Sequence, residues 1–86
     1  MDVLEIRIRF LAALADAAGM NETKMKVRRG TKVANLMKEI EGRFPGIAEA
    51  KKKIPVIVLI NGVARSSSYR IEDEAEIALV PPASGG

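Results

Sequence analysis

Residues 4–10, Leu-Glu-Ile-Arg-Ile-Arg-Phe, alternate strictly between apolar and charged. That period of two places Leu4, Ile6, Ile8 and Phe10 on one face and Glu5, Arg7 and Arg9 on the other, and it predicts a half-buried strand. The pattern then changes to Leu11-Ala-Ala-Leu-Ala-Asp-Ala-Ala18. Strong helix formers followed by Gly19 as a C-cap predict about two turns of helix. A second alternation, Thr23 to Arg28, turns Met25 and Val27 inward and predicts an antiparallel partner for the first strand. Thr31 then offers an N-cap, and Val33, Leu36, Met37, Ile40 and Phe44 follow at i, i+3, i+4, i+7 and i+11. This single apolar stripe predicts one long helix, with Pro45-Gly46 as its end.

Glu49 to Lys53 is polar and reads as a mobile connection, with Lys51-Lys52-Lys53 as a solvated loop. Pro55 opens the continuous apolar run Val56 to Ile60. Such a run predicts a central strand, covered on both faces or covered on one and presented to a partner on the other. Asn61-Gly62 predicts a type I′ hairpin turn into Val63-Ala64, because both residues tolerate positive φ. Ser66-Ser67-Ser68 reads as loop, so this fourth strand is expected to be very short. Glu76 to Val80 forms the last strand, with Ile77 and Leu79 on one side and Ala78 and Val80 on the other. Pro81-Pro82 stops it, since proline has no N–H for the ladder. The predicted class is α+β: a mixed sheet of four to five strands packed on one long helix. Strand, strand, helix, strand, short strand, strand is the order of the β-grasp fold, which includes ubiquitin. The parallel pairing of first and last strands is expected from that analogy alone. Residues 1–80 are expected to form the domain and 81–86 a flexible C-terminal tail.

Eighty-six residues hold a single core, and Leu, Ile, Val and Phe together number 24, enough to build one. A chain of this size has little interior for a deep catalytic pocket, so it is not expected to be a self-sufficient enzyme. With no His and no Cys, it lacks the usual neutral-pH proton carrier, the best side-chain nucleophile and the two commonest zinc ligands. The opening Met1-Asp2-Val3-Leu4-Glu5 has no basic or apolar signal region, and the longest apolar run, Val56 to Ile60, is far short of a membrane span. A cytoplasmic address and no membrane contact are expected. The net charge of +3 is spread along the chain, and Phe10, Phe44 and Tyr69 are its only aromatics. Without aromatic platforms beside a positive groove, no nucleic-acid partner is expected. There is no phosphate-binding glycine loop and no nucleophile turn. The carboxylates Glu72, Asp73, Glu74 and Glu76 lack partners at loop spacing, so no metal is expected.

The remaining unusual feature is the ending Pro81-Pro82-Ala83-Ser84-Gly85-Gly86. Proline pairs favour extended geometry free of internal hydrogen bonds, so six residues form an arm reaching roughly 20 Å. Two glycines have no Cβ, so the last peptide can thread a slot too narrow for any side chain. By chance alone, two specified positions are both Gly in about 0.5% of chains. The terminal carboxylate of Gly86 can thus enter a site on another protein, with Gly85, Ser84, Ala83, Pro82 and Pro81 as the threading segment.

The chain resembles the family of small sulfur-carrier proteins, and within it the small subunits of molybdopterin synthase. The resemblance spans the whole chain. It is carried by Phe10 to Gly19, Gly30-Thr31-Lys32-Val33, Phe44-Pro45-Gly46, Ile60-Asn61-Gly62 and above all Leu79-Val80-Pro81-Pro82-Ala83-Ser84-Gly85-Gly86. It implies that an E1-like adenylating enzyme uses ATP to activate the Gly86 carboxylate, and that a sulfur donor protein converts it to a thiocarboxylate. The large subunit of the synthase would then spend that sulfur on a pterin precursor of the molybdenum or tungsten cofactor. The carrier itself would bind no cofactor. Leu11, Ala64 and Val80 match positions where the family shows apolar partner contacts. Where the family has Asp-Gly-Asp-Glu, this chain has Asp73-Glu74-Ala75-Glu76, so a different local turn is expected. Three alternatives remain open: conjugation of Gly86 to lysines, sulfur carriage in a thiamine or tRNA pathway, and a non-covalent ubiquitin-like binding module.

Overall fold

The computed structural model describes residues 2–82. In chain order they form β1 (Val3–Phe10), α1 (Ala13–Ala18), β2 (Glu22–Arg28), β3 (Thr31–Lys32), α2 (Val33–Arg43), α3 (Pro45–Lys53), β4 (Ile57–Ile60), β5 (Val63–Ala64), β6 (Arg70–Ile71) and β7 (Glu76–Val80). The main sheet has the order β2-β1-β7-β4-β5. β1 pairs antiparallel with β2 and parallel with β7, and β4 pairs antiparallel with both β7 and β5. This is the β-grasp arrangement, with the first and last strands side by side at its centre.

The alternating strands fold as their pattern dictates. Leu4, Ile6, Ile8 and Phe10 of β1, Met25 and Val27 of β2, and Ile77 and Leu79 of β7 are all buried. They pack against Val33, Leu36, Met37 and Ile40 of α2 in one continuous core. Each fully buried large aliphatic side chain in it is worth roughly 1.5–3 kcal/mol of transfer free energy. Gly19 caps α1 with φ of 79°, and Asn61 and Gly62 turn the β4–β5 hairpin with φ of 48° and 84°, the left-handed backbone a type I′ turn requires.

Several elements differ from expectation. The long helix α2 does end before Pro45-Gly46, at Arg43, but Pro45 is also the first residue of α3, and the stretch Glu49 to Lys53, expected as a mobile loop, completes that helix. Proline suits the first helical turn, where its missing N–H costs nothing. Ile47 is fully buried beneath it, and the three lysines occupy the last turn, where cations meet the negative end of the helix dipole. The sheet therefore cradles α2 together with α3, with α1 packed on α3. Thr31 is not an N-cap. It lies in β3, which pairs with β6, and its hydroxyl donates to the Arg28 carbonyl at 2.6 Å. The first N–H groups of α2 are satisfied from the serine loop instead: Val33 donates to Tyr69 O and Ala34 to Ser67 O, both at 2.9 Å. That loop, expected to be loose, thus supplies the carbonyls that the helix start needs.

Candidate functional site

β7 is buried on its core face and half-buried on the other. Register defines what surrounds that second face. Ala78 lies between Arg9 of β1 and Leu59 of β4, and Leu59 in turn faces Ala64 of β5. Val80 lies opposite Ile57. Phe10 pairs with Leu79, and Leu11 N–H donates to Leu79 O at 3.1 Å, so Leu11 follows alongside Val80. Because side chains alternate across a strand, Leu11, Val80, Ile57, Ala78, Leu59 and Ala64 share the outer face of the sheet. Leu11 and Ala64 are exposed and the other four half-buried.

The three residues expected to contact a partner, Leu11, Ala64 and Val80, are thus brought onto one apolar surface. Ile57, Leu59 and Ala78 belong to it too. The unbroken apolar run Val56 to Ile60 carried the signal: a central strand covered on one face only has no need of polar residues on the other if a partner covers it.

A charged band borders this surface toward the start of β7. Glu76 forms ion pairs with Arg7 and Arg9, each at 3.7 Å, and Arg7 also lies 3.8 Å from Glu22. All these groups are about half exposed, so each pair is worth little to stability. Their effect is to mark the edge of the apolar area. The acidic turn does not converge on a point: Asp73 pairs with Arg29 at 3.7 Å, and Glu74 accepts the Glu5 N–H at 3.4 Å.

β7 ends at Val80, and half-buried Pro81 and exposed Pro82 take the chain off the sheet beside the apolar surface. Of the expected threading segment, Ala83, Ser84 and Gly85 lie outside the described residues, as does the expected reactive group, Gly86.

Among the described residues no helix is long and apolar enough to cross a membrane. A model of the ThiS family matches residues 8–86. The chain is similar to the molybdopterin synthase sulfur carrier subunit of Homo sapiens, 30% identical over 83 residues that span 95% of this chain and 94% of that protein. Among solved structures, small archaeal modifier protein 1 from Methanosarcina acetivorans is 23% identical, with a TM-score of 0.74 and full coverage of both chains. The ubiquitin-like domain of an Arabidopsis thaliana protein, 15% identical, aligns over 100% of this chain and 84% of that one with a TM-score of 0.63. At such identities the two structures speak for the fold alone.

Proposed function

The chain belongs to the ThiS family, and on that premise we propose that it is a sulfur carrier that serves molybdopterin synthase as its small subunit, with the sulfur held as a thiocarboxylate on Gly86. The observation that carries this reading is the site where the chain leaves the sheet. Val80, the last strand residue, sits in an apolar surface with Leu11, Ile57 and Ala64, and two prolines follow it directly. A partner that docks on that surface receives residues 81–86 at a defined starting point.

The chemistry suits a protein without His or Cys. A carboxylate is a poor electrophile, so an E1-like partner activates Gly86 with ATP to the acyl adenylate, releasing pyrophosphate. A persulfide on a sulfur donor protein attacks that carbonyl and expels AMP, giving an acyl disulfide. A thiol then cleaves the S–S bond, leaving the thiocarboxylate and a new disulfide. The synthase large subunit positions the thiocarboxylate against its pterin precursor, on the way to a molybdenum or tungsten cofactor, and supplies the acid–base groups this chain lacks. This reading carries with it a cytoplasmic address.

The test is intact mass. Incubated with an adenylating enzyme, ATP and a sulfur source, the full chain gains about 16 Da as one oxygen becomes sulfur. An unchanged mass under conditions that sulfurate a known carrier refutes the reading. Conjugation to lysine is the second reading. It starts from the same adenylate, and the fold is shared with small archaeal modifier protein 1. Gly-Gly remnants on lysines of other proteins, without the sulfur mass gain, would replace the first reading by the second.

A further inference from the structure

The edge of the sheet at β4 is only half covered. β5 has two residues and pairs with β4 through Leu59 and Ile60 alone. One further bond extends the hairpin, from Arg65 N–H to Val58 O at 3.0 Å. In an antiparallel ladder the backbone polar groups of successive residues face opposite neighbours. Asn61 donates to Glu76 O, so Asn61, Leu59 and Ile57 face β7, while Ile60, Val58 and Val56 face the β5 side. After Arg65 the chain turns away to α2, where Ser67 O and Tyr69 O are taken by Ala34 and Val33. The N–H of Val58 and both backbone groups of Val56 therefore have no backbone partner among the described residues. Val58 is only 8% exposed, and unpaired backbone donors in such positions are uncommon.

A cleft of about 350 Å³ runs along this edge. Val33 and Met37 of α2 line it together with Val56 and Val58, and Lys51 and Arg65 stand at it with no carboxylate among the lining residues. Lys51 Nζ is 3.1 Å from Glu41 Oε2 and half exposed, and the Arg65 guanidinium lies 4.5 Å from the centroid of the Tyr69 ring. Each keeps donors free for a ligand, since one carboxylate or one ring face does not exhaust an ammonium or a guanidinium.

We propose that this edge is a β-addition site for an extended acidic segment of a partner protein. The segment's backbone pairs with Val56 and Val58, a small apolar side chain enters the cleft, and flanking carboxylates meet Lys51 and Arg65. Backbone bonds supply affinity and the cleft supplies specificity. The opposite edge, β2, is built differently. Lys24 and Lys26 project from it, as protected edges do, and the hollow beside it mixes Glu5 with Lys24, Lys26 and Arg43. The proposed pairing makes no use of the Gly86 carboxylate, so the site stands or falls apart from sulfur carriage.

The full chain, labelled with 15N, is titrated with the probe acetyl-Glu-Glu-Val-Thr-Val-Glu-Glu-amide. Expected are saturable amide shifts below about 1 mM probe, concentrated at Val56, Val58, Arg65 and Ser67. The same probe N-methylated at its two valines binds at least about tenfold more weakly, because it cannot pair as a strand. The double variant Lys51→Glu, Arg65→Glu weakens the unmodified probe by about tenfold or more. No saturable shift by about 1 mM, equal binding of the N-methylated probe, or shifts centred on β2 would each overturn the proposal. A dimer in sedimentation that the probe dissociates would assign the edge to a second copy instead. Probe affinity that rises when residues 83–86 are removed would assign it to the chain's own end. Either result also overturns the proposal.

Discussion

Gly42 and Gly46 lie in neighbouring helices, and the same substitution at each is expected to have opposite signs. Gly42 is in α2, exposed, and a Cβ built on it meets nothing within 4 Å. Gly42→Ala therefore recovers helix propensity and raises stability by about 0.5–1 kcal/mol. Gly46 stands in the first turn of α3 where it crosses α1. A Cβ there would overlap the carbonyl oxygen of Ala17 and come within 2.9 Å of its carbon. Those atoms are backbone near the end of α1, so no rotamer change relieves the overlap. The helices must part, which loosens the packing around Leu14 and Ile47, both fully buried. Overpacking of this kind costs typically 1–3 kcal/mol, and the severity of the contact puts Gly46→Ala at the upper end, about 2–3 kcal/mol before a propensity gain of under about 1. For a domain of this length each kcal/mol moves the melting midpoint by roughly 4–8 °C. Calorimetry or thermal circular dichroism should thus show Gly42→Ala a few degrees above the parent and Gly46→Ala roughly 4–24 °C below it. A Gly46→Ala midpoint at or above the parent would refute the close crossing of α1 and α3.

Three further outcomes follow from the same geometry. Ala12 has φ 53° and ψ −132°, and Leu14 N–H donates to Leu11 O at 3.0 Å, so residues 11–14 form a type II′ turn with Ala where glycine fits; Ala12→Gly should raise the unfolding free energy in urea by about 0.5–1 kcal/mol. Leu11→Asp and Ala64→Asp, both at exposed positions of the apolar outer face, should each weaken binding to an adenylating enzyme by about tenfold in calorimetric titration, with little change in melting, because a charge enters a desolvated contact. Removing Gly85 and Gly86 should abolish the gain of about 16 Da on sulfuration while the domain's melting midpoint stays within about 2 °C.

The strands were legible because period two is unambiguous where one face is buried. β1 shows it best, with exposed and buried residues alternating over all eight positions. The Asn61-Gly62 turn was legible for a similar reason, since few residues accept the backbone it needs. What escaped was long-range or double-edged. Proline both ends and begins helices: Pro45 was legible as the stop of α2 but not as the start of α3, which was missed although Ile47 and Ala50 pack inward. The Thr31 cap failed because its competitors, the carbonyls of Ser67 and Tyr69, come from more than thirty residues away. β3 and β6 are two residues each, too short for any pattern. At the candidate site, Leu11, Ala64 and Val80 were found through resemblance, while Ile57, Leu59 and Ala78 required the register between β1, β7 and β4.

The register also fixes where the chain leaves the sheet relative to the apolar outer face. β1 and β7 pair in parallel at the centre of the sheet, so the residue that follows β1 and the last residue of β7 sit side by side. Both strands are anchored by side chains with almost no exposure: Ile8 and Phe10 on one, Ile77 and Leu79 on the other. Slipping either strand by one position would bury Arg7 and Arg9, or Glu76, in the core, which costs several kcal/mol per unpaired charge. The positions of Leu11 and Val80 relative to Pro81 are therefore set by the core itself. A partner that grips the outer face meets residue 81 at a position the core has set. On the proposed reading, a working group carried beyond residue 81 needs no pocket of its own, only a strand that cannot slip.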